Sequence, residues 1–131
     1  MKTKYPFEWL GEDGLMIVLV EINDETTLRF MLDTGSSHTC LDKNVLYIEQ
    51  INLKEAVGQV EIETANGWIL ADVFNIPLLE VLGLKLLNHP VQAIDFIEHH
   101  ILSNYSGVLG MDVLSQRNLC IHFEEGHLTF E

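Results

Sequence analysis

The sequence predicts an all-β domain, mainly antiparallel, spanning residues 1–131 and carrying one short helix near its C-terminal end. Three observations carry that expectation. The apolar runs are short and are bounded by turn-forming residues. One pair of runs flanks Asn66-Gly67, a preferred dipeptide for two-residue hairpin turns. A helix of one or two turns is expected only at Met111–Arg117, with Ile97–Asn104 ambiguous. A chain of 131 residues fits one domain, and a hydrophobic content of 47% is enough for a conventional core.

Leu15–Ile22 is strongly apolar, Asn23-Asp24-Glu25 is a turn signal, and Thr27–Leu32 resumes the apolar pattern, so the pair reads as a hairpin. Its second strand runs straight into Asp33-Thr34-Gly35-Ser36-Ser37, a tight loop of small residues, and His38–Leu41 follows as a short strand. Val60–Ala65 and Trp68–Val73 form the second hairpin. A type I′ turn at Asn66-Gly67 pairs Ala65 with Trp68, Thr64 with Ile69 and Ile62 with Ala71. One face then carries Val60, Ile62, Thr64, Ile69, Ala71 and Val73, and the other is mixed. Asn75–Pro90 reads as an extra strand or a loop over the core. Val91–Phe96 is a strand, Gly107–Gly110 a short apolar piece, and Leu119–Phe123 with Leu128–Phe130 a closing hairpin.

The net charge of −13 repels polyanions, which argues against nucleic acid and against an anionic membrane surface. No apolar run is long enough to span a bilayer, and Met1–Trp9 has no apolar core of a secretory signal. The two cysteines, Cys40 and Cys120, sit in apolar runs and read as reduced, buried thiols, so the cytoplasm is the expected location. Cys120, His122 and His127 could share a strand face, but the spacing matches no common zinc site and no metal is expected. His99-His100 reads as surface, and His38 as a capping or packing residue. No phosphate-cradling glycine loop and no Ser–His–Asp relay is evident.

Asp33 is where the chemistry concentrates. A carboxylate on a tight loop after a buried strand is held rigidly and partly desolvated. Gly35 allows another backbone to approach closely. Thr34 and Ser36 offer hydroxyls to the loop and to the carboxylate. One carboxylate is a weak hydrolase. Two in contact cannot both ionise, so one serves as base toward water and the other as acid toward a carbonyl oxygen. The chain has a single Asp-Thr-Gly, so a second aspartate must come from another copy across a two-fold axis. Asp112 reads as a residue at a helix N-terminus, where negative charge is favoured, and not as the partner acid.

Asp33-Thr34-Gly35-Ser36-Ser37 resembles the active-site loop of retropepsin-like aspartic proteases. Val108-Leu109-Gly110 resembles the element that packs beneath that loop in the family, and Met111-Asp112-Val113-Leu114 the start of the family's short C-terminal helix. The Asn66-Gly67 hairpin falls where the family places its flap. The resemblance runs from about Leu15 to Phe130. It implies a half-barrel acid-protease fold with a flap, acting as a homodimer on a peptide or protein substrate without a cofactor. It also implies roles. Asp33 would be catalytic, Thr34 would lock the two loops across the dimer, Gly35 would admit the substrate backbone, and Ser36 would orient the carboxylate. Thr64, Ala65, Asn66, Gly67 and Trp68 would close over a bound peptide. Here the flap has only one glycine near its tip, and Trp68 either covers substrate or packs against the body of the protein. A second reading of the same residues is a peptide-binding or dimerisation module with little or no catalysis. In a third, Asp33 marks an ordinary turn in a β-domain.

Overall fold

The computed structural model describes residues 2–10, 12, 14–101 and 103–131. In chain order the elements are β1 (Tyr5–Pro6), β2 (Glu8–Leu10), β3 (Leu15–Ile22), β4 (Thr26–Leu32), β5 (Cys40–Asp42), α1 (Lys43–Ile48), β6 (Gly58–Thr64), β7 (Gly67–Val81), β8 (Leu84–Ile94), β9 (Gly107–Leu109), α2 (Met111–Leu114), β10 (Leu119–His122) and β11 (His127–Phe130). The fold is all-β and mainly antiparallel, as expected. An eight-stranded sheet runs β2-β3-β4-β9-β5-β8-β7-β6, with β3 also touching β7, and a three-stranded sheet runs β1-β11-β10.

The β3–β4 hairpin shows why these residues form strands. Val18, Val20 and Ile22 point inward with at most 2% exposure, while Leu19 between them is 60% exposed. That period of two is the pleat of a half-buried strand. Leu28 and Phe30 of β4 join them, with Ile76, Leu79, Leu109, Val113 and Leu128 from later elements. Each such side chain removed from water contributes about 1.5–3 kcal/mol. A second cluster, built on Ala71, Ile94 and Phe96, receives Ile62, Ile69, Ile101 and Tyr105. It fastens the β6–β7 hairpin to the 94–105 segment.

Several local expectations are corrected. The β6–β7 hairpin pairs Thr64 with Gly67, Glu63 with Trp68 and Ile62 with Ile69, so Ala65 and Asn66 make the turn. Gly67 carries the positive φ (108°), and Asn66 has none, which excludes the I′ turn. The Thr64 hydroxyl decides this. It accepts from the Asn66 N–H (3.2 Å) and donates to the Gly67 carbonyl (2.8 Å), closing the turn one residue early. The slip moves one strand by two residues, so the two faces keep the composition expected of them.

A second helix joins the expected one. α1 is capped by Asp42, whose Oδ1 accepts from the Asn44 N–H. It ends with Gln50 left-handed at φ 53°, where Gln50 and Ile51 donate back to Tyr47 and Leu46. Asn75–Pro90 is neither a separate strand nor a loop. It is the far half of a long β7–β8 hairpin turning at Leu82-Gly83. Among the described residues, no helix is long and apolar enough to cross a membrane.

Candidate active site

Strand β9 lies between β4 and β5. It is parallel to the first, with Phe30↔Gly107 and Leu32↔Leu109, and antiparallel to the second, with Cys40↔Val108. The only covalent link between β4 and β5 is the loop 33–39, which therefore arches over the end of β9. The Asp33 N–H donates to the Leu109 carbonyl (3.0 Å), extending the parallel ladder by one rung. On the far side of the arch, the Met111 N–H donates to the Ser36 carbonyl (2.7 Å) and the Asp112 N–H to the Ser37 carbonyl (3.2 Å).

Gly110 is what lets the arch sit this close. A Cβ there would lie 2.6 Å from the carbonyl carbon of His38 and 2.9 Å from the Ser36 oxygen, both backbone atoms that cannot swing aside. Gly107 is similarly confined between Phe30 and the Cys40 carbonyl. Val108, Leu109 and Gly110 thus form a floor. Leu109 is fully buried and its carbonyl holds Asp33, while Gly110 lets the loop's backbone pass against it and donates its N–H to the Thr39 hydroxyl.

Within the arch, Asp33 and Ser36 are half-buried, while Thr34 and Gly35 are exposed. The Gly35 N–H donates to Asp33 Oδ1 (2.8 Å), and the loop closes through Ser36 N–H to the Asp33 carbonyl (3.2 Å). The carboxylate is therefore oriented by a backbone amide. The Ser36 hydroxyl donates elsewhere, to the His38 carbonyl (2.9 Å).

Residues at the end of the loop and beyond it, which the sequence alone did not single out for this role, complete the surroundings. Thr39 is fully buried. Its hydroxyl donates to Asp112 Oδ1 (2.8 Å) and accepts from the Gly110 N–H (3.2 Å). Asp112 does sit in the first turn of α2, and its Oδ2 meets His89 Nε2 at 2.7 Å. Burial pushes the Asp112 carboxyl up, but the hydrogen bonds from His89 and Thr39 outweigh it and hold the group below its ordinary value. His38 is exposed, with Nδ1 2.8 Å from the Ser37 hydroxyl. A cavity of about 380 Å³ opens between His38, Val60, Val73, His89 and Gln92. A neighbouring cavity joins Ser37 and His38 to the β6 edge at Val60–Glu63.

The β6–β7 hairpin is anchored at its base. Lys43 of α1 pairs with Asp72 on β7, and Gln59 of β6 donates to the same carboxylate (2.9 Å). The hairpin's outer end, Thr64, Ala65 and Asn66, borders a different cavity with the 98–101 turn, so the tip leans toward that turn. Trp68 is 65% exposed and does not pack against the body of the chain. His122 and His127 stack at 4.4 Å, and Cys120 on the same strand is exposed, contrary to the buried thiol expected there. β10 is an edge strand, and its second residue faces out. Cys40 is partly covered. Burial pushes its thiol up to about 12, and the charge of Asp42 adds to the shift.

The family profile described as aspartyl protease matches residues 18–113, from β3 through the start of α2. A crystal structure of a retropepsin-like aspartic protease from Rickettsia conorii superposes with a TM-score of 0.67 at 20% identity, covering 99% of this chain and 89% of that one. No curated protein matches the sequence.

Proposed function

Because the chain belongs to the aspartyl protease family, with a retropepsin-like fold, we propose that it is an aspartic endopeptidase that works as a homodimer, the Asp33 carboxylates of two copies sharing one water. The observation that carries this reading is the arch. A lone, half-buried Asp-Thr-Gly carboxylate is presented on a loop locked by backbone hydrogen bonds over a glycine floor, with one oxygen bonded to the Gly35 N–H.

The chemistry follows from that geometry. Two facing carboxylates hold one proton between them, a property general to acid pairs in contact. The ionised member takes a proton from water as its oxygen attacks the scissile carbonyl carbon. The protonated member gives its proton to the carbonyl oxygen, and a tetrahedral diol results. The carboxyl that took the water's proton then passes it to the nitrogen, the C–N bond breaks, and a hydroxyl of the diol gives its proton to the other carboxylate, which restores the shared proton. Thr34, exposed beside Asp33, is placed to meet its counterpart across the two-fold axis. The β6–β7 hairpin is the flap in this reading: its β6 edge at Val60–Glu63 borders the cavities beside His38 where a peptide would lie, and its tip at Thr64–Trp68 would swing from the 98–101 turn to cover it. No cofactor enters any step. The whole chain acts as one protease domain in this reading, and two unpaired cysteines fit a cytoplasmic setting.

The exposed Trp68 favours a second reading, a peptide-capturing dimer with little turnover. One experiment separates the two. Wild type and Asp33→Asn are incubated with a denatured protein mixture from acidic to neutral pH, and the cut sites are read by mass spectrometry. Proteolysis blocked by a statine-type inhibitor and reduced roughly a thousandfold or more in the variant is the expected result. Equal signals from both proteins, at concentrations where wild type is dimeric, would sink the protease reading.

A further inference from the structure

Beneath the arch lies a chain of polar contacts that the proposed chemistry does not use. His89 sits on β8 opposite Ile76, far from the loop in sequence. Its side chain and that of Asp112 are only 13% and 17% exposed, and they meet at 2.7 Å. An ionised carboxylate accepts and never donates, so both neighbours of Asp112 must supply protons. His89 donates to Oδ2 and Thr39 to Oδ1. The single hydroxyl proton of Thr39 is thereby committed, leaving its lone pair to receive the Gly110 N–H. The direction of every bond in the chain His89→Asp112←Thr39←Gly110 is fixed by this accounting.

These bonds end on the atoms that define the arch. Gly110 follows the residue whose carbonyl holds Asp33. Asp112 and Met111 donate their backbone N–H groups to Ser37 and Ser36 on the other leg. Thr39 is the last residue of the loop before β5. One half-buried carboxylate thus joins β8, the start of α2 and the closing leg of the loop.

We propose that His89 and Asp112 are positioning residues for the active loop, clamping Thr39 to Gly110 and so setting where the Asp33 carboxylate is presented. In its kinetic consequences the proposal rests on the reading of Asp33 as a reacting group. The clamp itself does not. Misplacing a reacting carboxylate by about 1 Å can cost on the order of a hundredfold in rate. His89 and Asp112 also line the His38–Val60 cavity, so the clean signature belongs to the fully buried Thr39: Thr39→Val should lower kcat with KM nearly unchanged.

Four variants of the dimeric protein test it, with kinetics measured well below their unfolding temperatures and backbone amide exchange followed by NMR. His89→Ala is expected to lower kcat by about tenfold to a hundredfold. It should also speed exchange at the Met111 and Asp112 amides by roughly tenfold. His89→Gln, which keeps an N–H donor for Asp112, should restore both. Thr39→Val, of nearly the same shape, severs the same chain and should reproduce His89→Ala even if that variant does not fold. Val20→Ala, a core truncation on β3, should lower the unfolding temperature without either effect. The proposal is overturned if His89→Ala and Thr39→Val behave like Val20→Ala, with kcat and amide protection unchanged. If wild type proves inactive, exchange alone decides. Accelerated exchange in the two variants upholds the clamp and leaves only the protease reading refuted, whereas unaltered exchange overturns the clamp as well.

Discussion

Asp112 shows how a charge is kept in a place that resists it. Burial disfavours its ionised form, and the donors His89 and Thr39 more than offset that, so its folded pKa lies below the ordinary carboxylate value. A depressed folded pKa adds stability that is fully present above the unfolded value of about 3.9 and is lost as pH falls through the folded value. Thermal unfolding of wild type and Asp112→Asn should therefore differ most near pH 6, and the gap should narrow by about pH 3. A constant gap would show that the carboxylate's charge adds nothing. Asp72 and Asp95 are also held low, the first by Lys43 and Gln59, the second by Asn44 and the Glu98 N–H. Acid sensitivity will thus be reduced in the variant and not abolished. None of this was readable from the sequence, where Asp112 carried only the local signal of a helix start. Its partners come from β8 and the 33–39 loop, and a contact between distant segments leaves no mark on residue spacing.

Strands β4, β9 and β5 with the arch form the element on which the site depends, and Gly110 is where the loop's backbone leaves no room for a side chain. Gly110→Ala forces a methyl group against two backbone carbonyls and should cost about 1–3 kcal/mol in urea unfolding. Gly58→Ala, where a Cβ meets nothing within 4 Å, should fall within about 0.5 kcal/mol of wild type. Equal losses at the two positions would refute the steric account. At this scale much was legible. Leu15–Ile22, a strongly apolar run closed by a turn signal, forms a strand over the same residues, and Gly107–Leu109 and the closing hairpin also appear where apolar runs meet turn residues. What failed did so for local physical reasons. α1 has six residues and ends on a left-handed Gln50, so neither helical periodicity nor a terminal glycine announced it. The β7–β8 hairpin is disguised by Pro77, which has no N–H to donate, and by the left-handed Asn88 across from it. The turn at Ala65-Asn66 went to a threonine hydroxyl instead of the Asn-Gly pair beside it.

The molecule as a whole carries one Asp-Thr-Gly and a charge of −13, and these two facts pull against each other. The proposed mechanism needs two copies in contact, while like charge drives them apart. Specific activity should therefore fall on dilution, and excess Asp33→Asn chain should suppress wild type by forming mixed dimers. Added salt, which shortens the reach of the repulsion, should move the dilution midpoint to lower protein concentration. Sedimentation and activity measured on the same dilution series check this, and activity independent of concentration across a dimer-to-monomer transition would exclude the shared site.

The place of β9 between β4 and β5 also imposes a timetable. Synthesis delivers the Asp33 loop early, but the strand it must arch over, and the carbonyl its own amide must find, come only at Gly107–Gly110. A growing chain therefore holds Asp33, the proposed reacting residue, on a slack tether until β9 has been made, since pairings between segments so far apart form late. The order of the strands would act as a safety catch for that reaction. Neighbouring nascent proteins meet an ordered Asp33 only once β9 has emerged.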